Sequence, residues 1–271
     1  MMGKKLTIFA LVFAFIGFVN ASFAQDAPSA ASLYNEGLAN MKAKQYAAAL
    51  PLFEKAIAAA DSTSETDAQV LKLSKQNGAI ATYYVGNDLR KANKFDEALK
   101  LYNEGIEYNP DFYANYIGRA QALEGKGQDV EAVKAYLKAG AISEKDNKPD
   151  RAADMYKKAE NLAAVAWGKK QWSAAIACAE AFLAEKETAD AHYYLSQSLL
   201  AKKELEKALE HGKKAVELAQ GEDKDKTNFG LGEVYEALGK KSEAIAAYKL
   251  VTGTKYGERA KYEIKQLEGG K

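Results

Sequence analysis

The sequence is poor in residues that interrupt helices or cross-link a chain. It holds four prolines, two histidines and one cysteine among 271 residues. Proline is the strongest helix breaker, so its scarcity among many Ala, Leu, Lys and Glu residues favours helices. A single cysteine, Cys178, excludes an internal disulfide. It lies in an alanine-rich helical stretch, and we expect a small buried hydrophobic residue rather than a reactive thiol.

A large net charge is also missing, since the formal value is +1. Near the start, Lys4 and Lys5 precede an uncharged apolar run at residues 6–19, and Ser22-Phe23-Ala24 supplies small residues where a signal peptidase cuts. This pattern predicts a signal peptide at residues 1–24, then a flexible lead-in at residues 25–29. The run is shorter than the roughly 20 residues that span a bilayer, which disfavours the alternative, an uncleaved membrane anchor.

Cleavage after Ala24 removes two lysines and changes the net charge to −1. A nearly neutral chain has no global field to hold nucleic acid, and no Lys/Arg cluster is interleaved with aromatic residues. We therefore expect an exported protein of the bacterial cell envelope, periplasmic in location. It should have no nucleic-acid partner and no membrane span after cleavage, and the sequence leaves its oligomeric state open.

One spaced pattern of large and small residues recurs six times. Its spacing, i, i+3, i+7 and i+10, places the members on one face of a helix. A small residue about nine positions upstream accompanies each copy, which would let two helices approach closely. The copies are Tyr46-Ala49-Phe53-Ala56, Phe95-Ala98-Tyr102-Gly105, Asp129-Ala132-Tyr136-Ala139, Trp172-Ala175-Ala179-Phe182, Leu205-Ala208-Gly212-Ala215 and Lys241-Ala244-Tyr248-Val251.

This pattern resembles the tetratricopeptide repeat family, whose unit is a pair of antiparallel helices of about 34 residues. The resemblance implies an all-α, right-handed superhelical solenoid of about six repeats, at residues 30–268. The repeats are expected near residues 30–63, 79–112, 113–146, 156–189, 189–222 and 225–258, with a capping helix at about 256–268 that covers the last repeat. Uneven spacing predicts two insertions, one of which lengthens a helix that begins at Pro149.

In that family the first helix of each repeat lines a concave groove, and fixed repeat positions point into it. Aromatic rings there bury apolar area, and amides bond a peptide backbone. The alternative is that such tyrosines simply pack between neighbouring repeats. In the first helix of the fifth repeat, we expect Tyr193 and Gln197 to stay exposed. The resemblance implies a partner-binding groove that includes Tyr34, Tyr83, Asn87, Ile117, Gln121, Trp167, Tyr193, Gln197, Phe229 and Glu233.

Patterns typical of catalysis, metal binding or cofactor binding are missing. His192 and His211 fall in different helices, and neither has an acid or cysteine at metal-ligand spacing. The Gly230-Leu231-Gly232 stretch lacks the later glycine of a dinucleotide loop. We therefore expect no enzyme activity, no cofactor and no metal.

The leading hypothesis is a non-enzymatic adaptor, a protein–protein interaction module that binds a partner protein or peptide in its concave groove. The resemblance implies that the partner is not expected to be a cytosolic heat-shock chaperone, because Tyr83 stands where the family's carboxylate clamp has lysine. Two alternatives stay open. One is a structural scaffold subunit of an envelope assembly that uses the convex face or the repeat ends, suggested by Tyr262 and Ile264 on the capping helix. The other binds carbohydrate or another small ligand through ring stacking.

Overall fold

The computed structural model describes residues 28–269; the predicted signal peptide and the lead-in up to residue 27 lie outside the described residues. Within that range the protein is all-helical. The described helices are α1 (Ala30–Lys42), α2 (Tyr46–Ala59), α3 (Glu65–Lys91), α4 (Phe95–Tyr108), α5 (Tyr113–Gly125), α6 (Asp129–Lys145), α7 (Pro149–Gly168), α8 (Trp172–Leu183), α9 (Ala189–Ala201), α10 (Leu205–Leu218), α11 (Asp223–Ala237), α12 (Lys241–Lys249) and α13 (Thr254–Leu267). No helix in this part of the chain is both long enough and apolar enough to span a bilayer.

Consecutive helices pack on each other along the whole described chain, which gives two layers. The odd-numbered helices form the first layer and the even-numbered helices the second. First-layer neighbours also pack together, α1 on α3, α3 on α5, α7 on α9, α9 on α11 and α11 on α13. Because this layer is the more closely spaced, the array curves with the first layer on its inner side.

The middle of the array breaks this rule. In the described residues α5 and α7 do not pack together, whereas α6 and α8 do. The insertion predicted from the sequence explains the change, because α6 runs on to Lys145 and α7 begins at Pro149, which is favoured at a first helical position. Arg151 on α7 bridges the inner opening, with its guanidinium 3.6 Å from the centre of the Tyr113 ring on α5.

The turns inside the helix pairs share one backbone conformation. A residue with φ between +58° and +71° follows the first helix of each pair, and the next backbone N–H donates to the carbonyl oxygen five residues earlier, as in a Schellman motif. Asn147 gives the α6–α7 connection the same turn, so these two helices form one additional tight hairpin. The positive-φ residues of the six turns inside the helix pairs are Lys44, Asn93, Gly127, Lys170, Lys203 and Gly239.

Large residues packed on glycines form the core, as the repeated pattern predicts. Phe53, Tyr102 and Tyr248 are at most 1% exposed. The Tyr102 ring lies between two glycine-bearing helices: a Cβ on Gly86 or Gly118 would come within 2.7 or 2.3 Å of a ring carbon. Cys178 is fully buried, as expected, and burial raises the pKa of its thiol to about 12.

Candidate functional site: the inner face

The ten predicted groove residues all lie on first-layer helices, but the structure divides them by exposure. Seven are partly exposed, and three, Tyr193, Gln197 and Phe229, are buried. The partly exposed set contains Tyr34 on α1, Tyr83 and Asn87 on α3, Ile117 and Gln121 on α5, Trp167 on α7 and Glu233 on α11.

Five of the partly exposed residues belong to three successive inner helices, and we call them the N-terminal patch: Tyr34, Tyr83, Asn87, Ile117 and Gln121. They stand at equivalent register positions of α1, α3 and α5, which pack side by side. The patch carries no formal charge and combines two phenol rings, an aliphatic side chain and two amides. This is a surface that can bury apolar area and hydrogen-bond a peptide backbone at once.

Neighbouring contacts hold the patch in place. The Tyr83 ring lies edge-on to Phe112 at 6.2 Å between centroids, and the Tyr34 ring packs against Phe53 at 6.1 Å. Tyr102 donates its hydroxyl proton to Asn87 Oδ1 at 2.8 Å. Within the described residues the Asn87 amide nitrogen and the whole Gln121 amide make no hydrogen bond, so both are available to a ligand.

The exposure expected of Tyr193 and Gln197 is wrong. Tyr193 is 9% and Gln197 7% exposed, and the Gln197 amide donates to the Gly230 carbonyl oxygen of α11 at 3.1 Å. Gly230 permits this approach, since a Cβ there would lie 2.6 Å from Gln197 Nε2 and 2.8 Å from the Tyr193 ring. Burial raises the pKa of the Tyr193 hydroxyl. Here the packing alternative holds.

Phe229 was likewise expected in the groove, and the structure buries it to 2% exposure. Its ring packs against Tyr248 at 5.3 Å and Tyr256 at 5.6 Å, and the Arg259 guanidinium lies 4.6 Å above it. Tyr256 and Arg259 belong to α13. The last helix therefore covers the inner position of the last repeat, and Phe229 is part of the core.

Charged residues dominate the inner face of the C-terminal half, and of these the sequence interpretation singled out only Glu233. Glu160 accepts a hydrogen bond from Thr188, and Lys226 pairs with Asp190 and with Asp223. Glu233 pairs with Arg259 at 2.8 Å. Burial raises the pKa of both glutamates. The available signal was Glu160 itself, an acid at the repeat position where the other five units have aromatic or aliphatic residues.

The two histidines, which the sequence left apart, meet between α9 and α10. The His192 and His211 Nδ1 atoms are 3.0 Å apart, the rings are stacked, and His192 Nε2 is 3.3 Å from Glu187 Oε1. Burial lowers the pKa of both imidazoles, and for His211 the neighbouring His192 adds to the effect. A shared proton between the Nδ1 atoms requires one neutral ring. Among the described residues no group of three or more His, Cys, Asp or Glu side chains has metal-binding geometry.

Models of the tetratricopeptide repeat match residues 86–152 and 160–223, and a second model of the same repeat matches residues 225–255. Together they span more than half of the chain. The chain belongs to the tetratricopeptide repeat family. Repeats of this family generally mediate contacts between proteins and are typically non-catalytic, so the tetratricopeptide array is an interaction fold.

Solved structures of other proteins are similar to this chain at low sequence identity. YrrB, whose structure is described as having an unusual peptide-binding site, shares 19% identity over 64% of this chain and 84% of its own, with a TM-score of 0.37. MamA shares 22% identity over 68% of this chain and 95% of its own, with a TM-score of 0.39. No curated protein matches the sequence closely enough to count as a relative.

Proposed function

We propose that this protein is a non-enzymatic adaptor of the cell envelope that binds an extended or helical segment of a partner protein on its inner face. The observation that carries the proposal is the N-terminal patch: an uncharged surface of rings, an aliphatic side chain and two amides that keep free hydrogen-bonding groups, on three neighbouring helices. In the C-terminal half most of the same positions hold either buried residues, Tyr193, Gln197 and Phe229, or carboxylates that already have partners, Glu160 and Glu233. Binding therefore centres on α1, α3 and α5.

A test by site-specific cross-linking follows from this geometry. A photo-reactive phenylalanine derivative at position 83 should give a discrete adduct in the native cell, whereas the same probe at exposed Asn103 on α4 should not. The double variant Tyr83→Ala/Ile117→Ala should abolish capture of the identified partner by the purified protein, with the helical circular dichroism unchanged. Tyr262→Ala is the matched control, because Tyr262 is a 59% exposed tyrosine at the far end of the array. Undiminished capture by the double variant would rule out the N-terminal patch.

Export is the second part of the proposal, supported by the basic, apolar and small-residue pattern of residues 1–24. Residues 1–30 fused to alkaline phosphatase should give active enzyme in a bacterial host, since that enzyme matures only after export. The full-length protein should begin at Gln25 by mass spectrometry of the intact chain. A fusion that stays inactive, or a mature protein that retains residues 1–24, would contradict cleavage and export.

A scaffold role is the second candidate, favoured by one observation at the C-terminal end. Tyr262 on α13 and Leu250 in the preceding linker are about 60% exposed, unusual for large apolar residues. A self-associating protein should show a concentration-dependent mass in light scattering that Tyr262→Ser lowers. A monomer at all concentrations would contradict the scaffold role.

A further inference from the structure

Two clefts lie side by side along α6, on the second-layer side of the molecule. The larger cleft has a volume of about 560 Å³ and lies between α6 and α8. Its apolar lining comes from Leu137 and Ala141 on α6, from Ala181 and the adjoining Ala184, and from the Tyr156 ring of α7. Such a lining of short side chains leaves room for a bulky apolar group.

The smaller cleft, about 160 Å³, lies on the other side of α6, towards α5. Tyr116, Arg119 and Ala135 line it. Lys134 and Lys138 line both clefts, and they are one helical turn apart. They therefore form a basic ridge between two apolar recesses. We call the two recesses and this ridge the double cleft.

The irregular middle of the array creates this surface. In the described chain α6 and α8 are the one second-layer pair that packs together, and their contact closes the base of the larger cleft. Gly140 lets the Tyr156 ring lie against α6, because a Cβ there would be 2.3 Å from Tyr156 Cε1. At the position of Ala181, by contrast, four of the other five repeats carry lysine or glutamate: Lys55, Glu104, Lys138 and Lys214.

The charges of the double cleft favour an anionic ligand. Lys186 is already paired with Glu144 at 3.1 Å, which neutralises one edge. Lys134 and Lys138, in contrast, make no ion pair within the described residues, and both are exposed. Arg119 is also unpaired there. Glu131 and Glu185 stand on the rims, so the lining as a whole keeps a small positive excess that is concentrated on the ridge.

We propose that the double cleft is a second binding site, which takes an acidic segment of a partner protein with apolar residues on both sides of its carboxylates. The apolar side chains fill the two recesses, and the carboxylates lie on Lys134 and Lys138. Apolar anchors supply the buried area, and the complementary charges fix the register and exclude basic segments. This site is on the opposite layer from the N-terminal patch and does not depend on it.

A fluorescein-labelled peptide of sequence Gly-Leu-Glu-Glu-Leu-Gly serves as the probe, with anisotropy as the readout on the full mature chain. We expect saturable binding that weakens at least tenfold in Lys134→Glu/Lys138→Glu. Lys261→Glu/Lys265→Glu, an equally spaced exposed pair on α13, is the matched control and should bind as the unmodified protein does. Ala181→Phe, which fills the larger recess without changing charge, should weaken binding several-fold.

Helical circular dichroism and the urea midpoint verify that each variant is folded. The proposal is overturned by any of three results: no saturable binding up to millimolar peptide, equal binding by the two lysine-pair variants, or equal binding of a peptide with lysine in place of both glutamates. Tyr83→Ala/Ile117→Ala must leave probe binding unchanged. Loss of binding in that variant would move the peptide to the inner face and also overturn the proposal.

Discussion

The two halves of the array use the same repeat position in opposite ways. In the N-terminal half, α1 to α6, Tyr83 lies on the inner surface and leaves part of its ring exposed. In the C-terminal half, α7 to α13, Tyr193 and Phe229 occupy the equivalent position and are buried. Glu160, at the same position of α7, is partly exposed and accepts a hydrogen bond from Thr188. The position therefore does not define a binding residue; the neighbouring helix decides whether the side chain binds a partner or completes the core.

Truncating the same position in the two halves should give the largest contrast. Phe229→Ala removes a ring that α13 covers, and we expect a loss of about 3–5 kcal/mol in the free energy of unfolding. Tyr83→Ala removes a partly exposed ring and mainly its edge contact with Phe112, at a cost of about 1 kcal/mol. Urea unfolding followed by circular dichroism measures both values. Equal losses would mean that the two halves do not differ in this respect.

Hydrogen exchange resolved by peptide sharpens that comparison, because a repeat array can open locally. Phe229→Ala should speed exchange in α11 to α13 and leave α1 to α4 unchanged. Accelerated exchange over the whole chain would instead indicate one cooperative unit.

Gly230 is the next residue to test, since it permits the close contact of α9 and α11. We expect Gly230→Ala to lower stability by about 1–3 kcal/mol through overpacking against Tyr193 and Gln197. The same change should increase quenching of tryptophan fluorescence by iodide, because Trp167 packs on Tyr193 and Tyr194. Gly257→Ala on α13 is the matched control. A Cβ added at Gly257 would have no atom within 4 Å, so alanine, the better helix former, should raise the free energy of unfolding by about 1 kcal/mol.

Turn substitutions should show where the two halves are alike. Lys44 and Lys203 hold the same left-handed turn conformation, at φ 59° and 63°. Glycine adopts it without steric cost, so Lys44→Gly and Lys203→Gly should each raise stability by about 1 kcal/mol. Gly127→Ala, at φ 71°, is the reverse experiment and should lower it by a similar amount. Unequal effects of the two lysine variants would show that the halves differ in their turns as well.

Local pattern explains why the helices could be predicted from the sequence. Pro149 marks the start of α7, and the small residue Gly86, nine positions before Phe95, marks the close packing on Tyr102, because each signal acts within one helix or between two consecutive helices. The burial of Tyr193 could not be predicted in this way. It depends on Gly230, 37 residues later, and on how closely α9 and α11 pack. The sequence therefore predicted which helices form the inner face, but the predicted exposure of Tyr193 and Gln197 in the C-terminal half was wrong.

The histidine pair is an intermediate case, because a signal existed. Gly212, next to His211, packs on Ser196, one helical turn after His192. Antiparallel helices that meet at that glycine place both histidines near the same seam, where the structure brings them into contact. The distance between the two histidines along the chain does not predict the contact, whereas their positions on two paired helices of one repeat indicate it.

Protonation of this pair should give the smallest effect, one confined to the C-terminal half because the sequence has no other histidine. The pKa of each imidazole is lowered in the folded state, chiefly by burial. As the pH falls below about 6.5, the unfolded chain therefore binds protons first, and the free energy of unfolding falls until the folded pKa values are passed. Glu187 and Glu210 oppose this shift at His192, where Lys214 reinforces it, and Glu180 and Glu210 oppose it at His211.

Urea midpoints at pH 7.5 and 5.5 should differ more for the unmodified protein than for His192→Gln/His211→Gln. The raised carboxyl pKa values of Glu160 and Glu233 act in the opposite direction in both proteins, so they cancel in that difference. An equal pH response of the two proteins would show that the stacked pair has no energetic role.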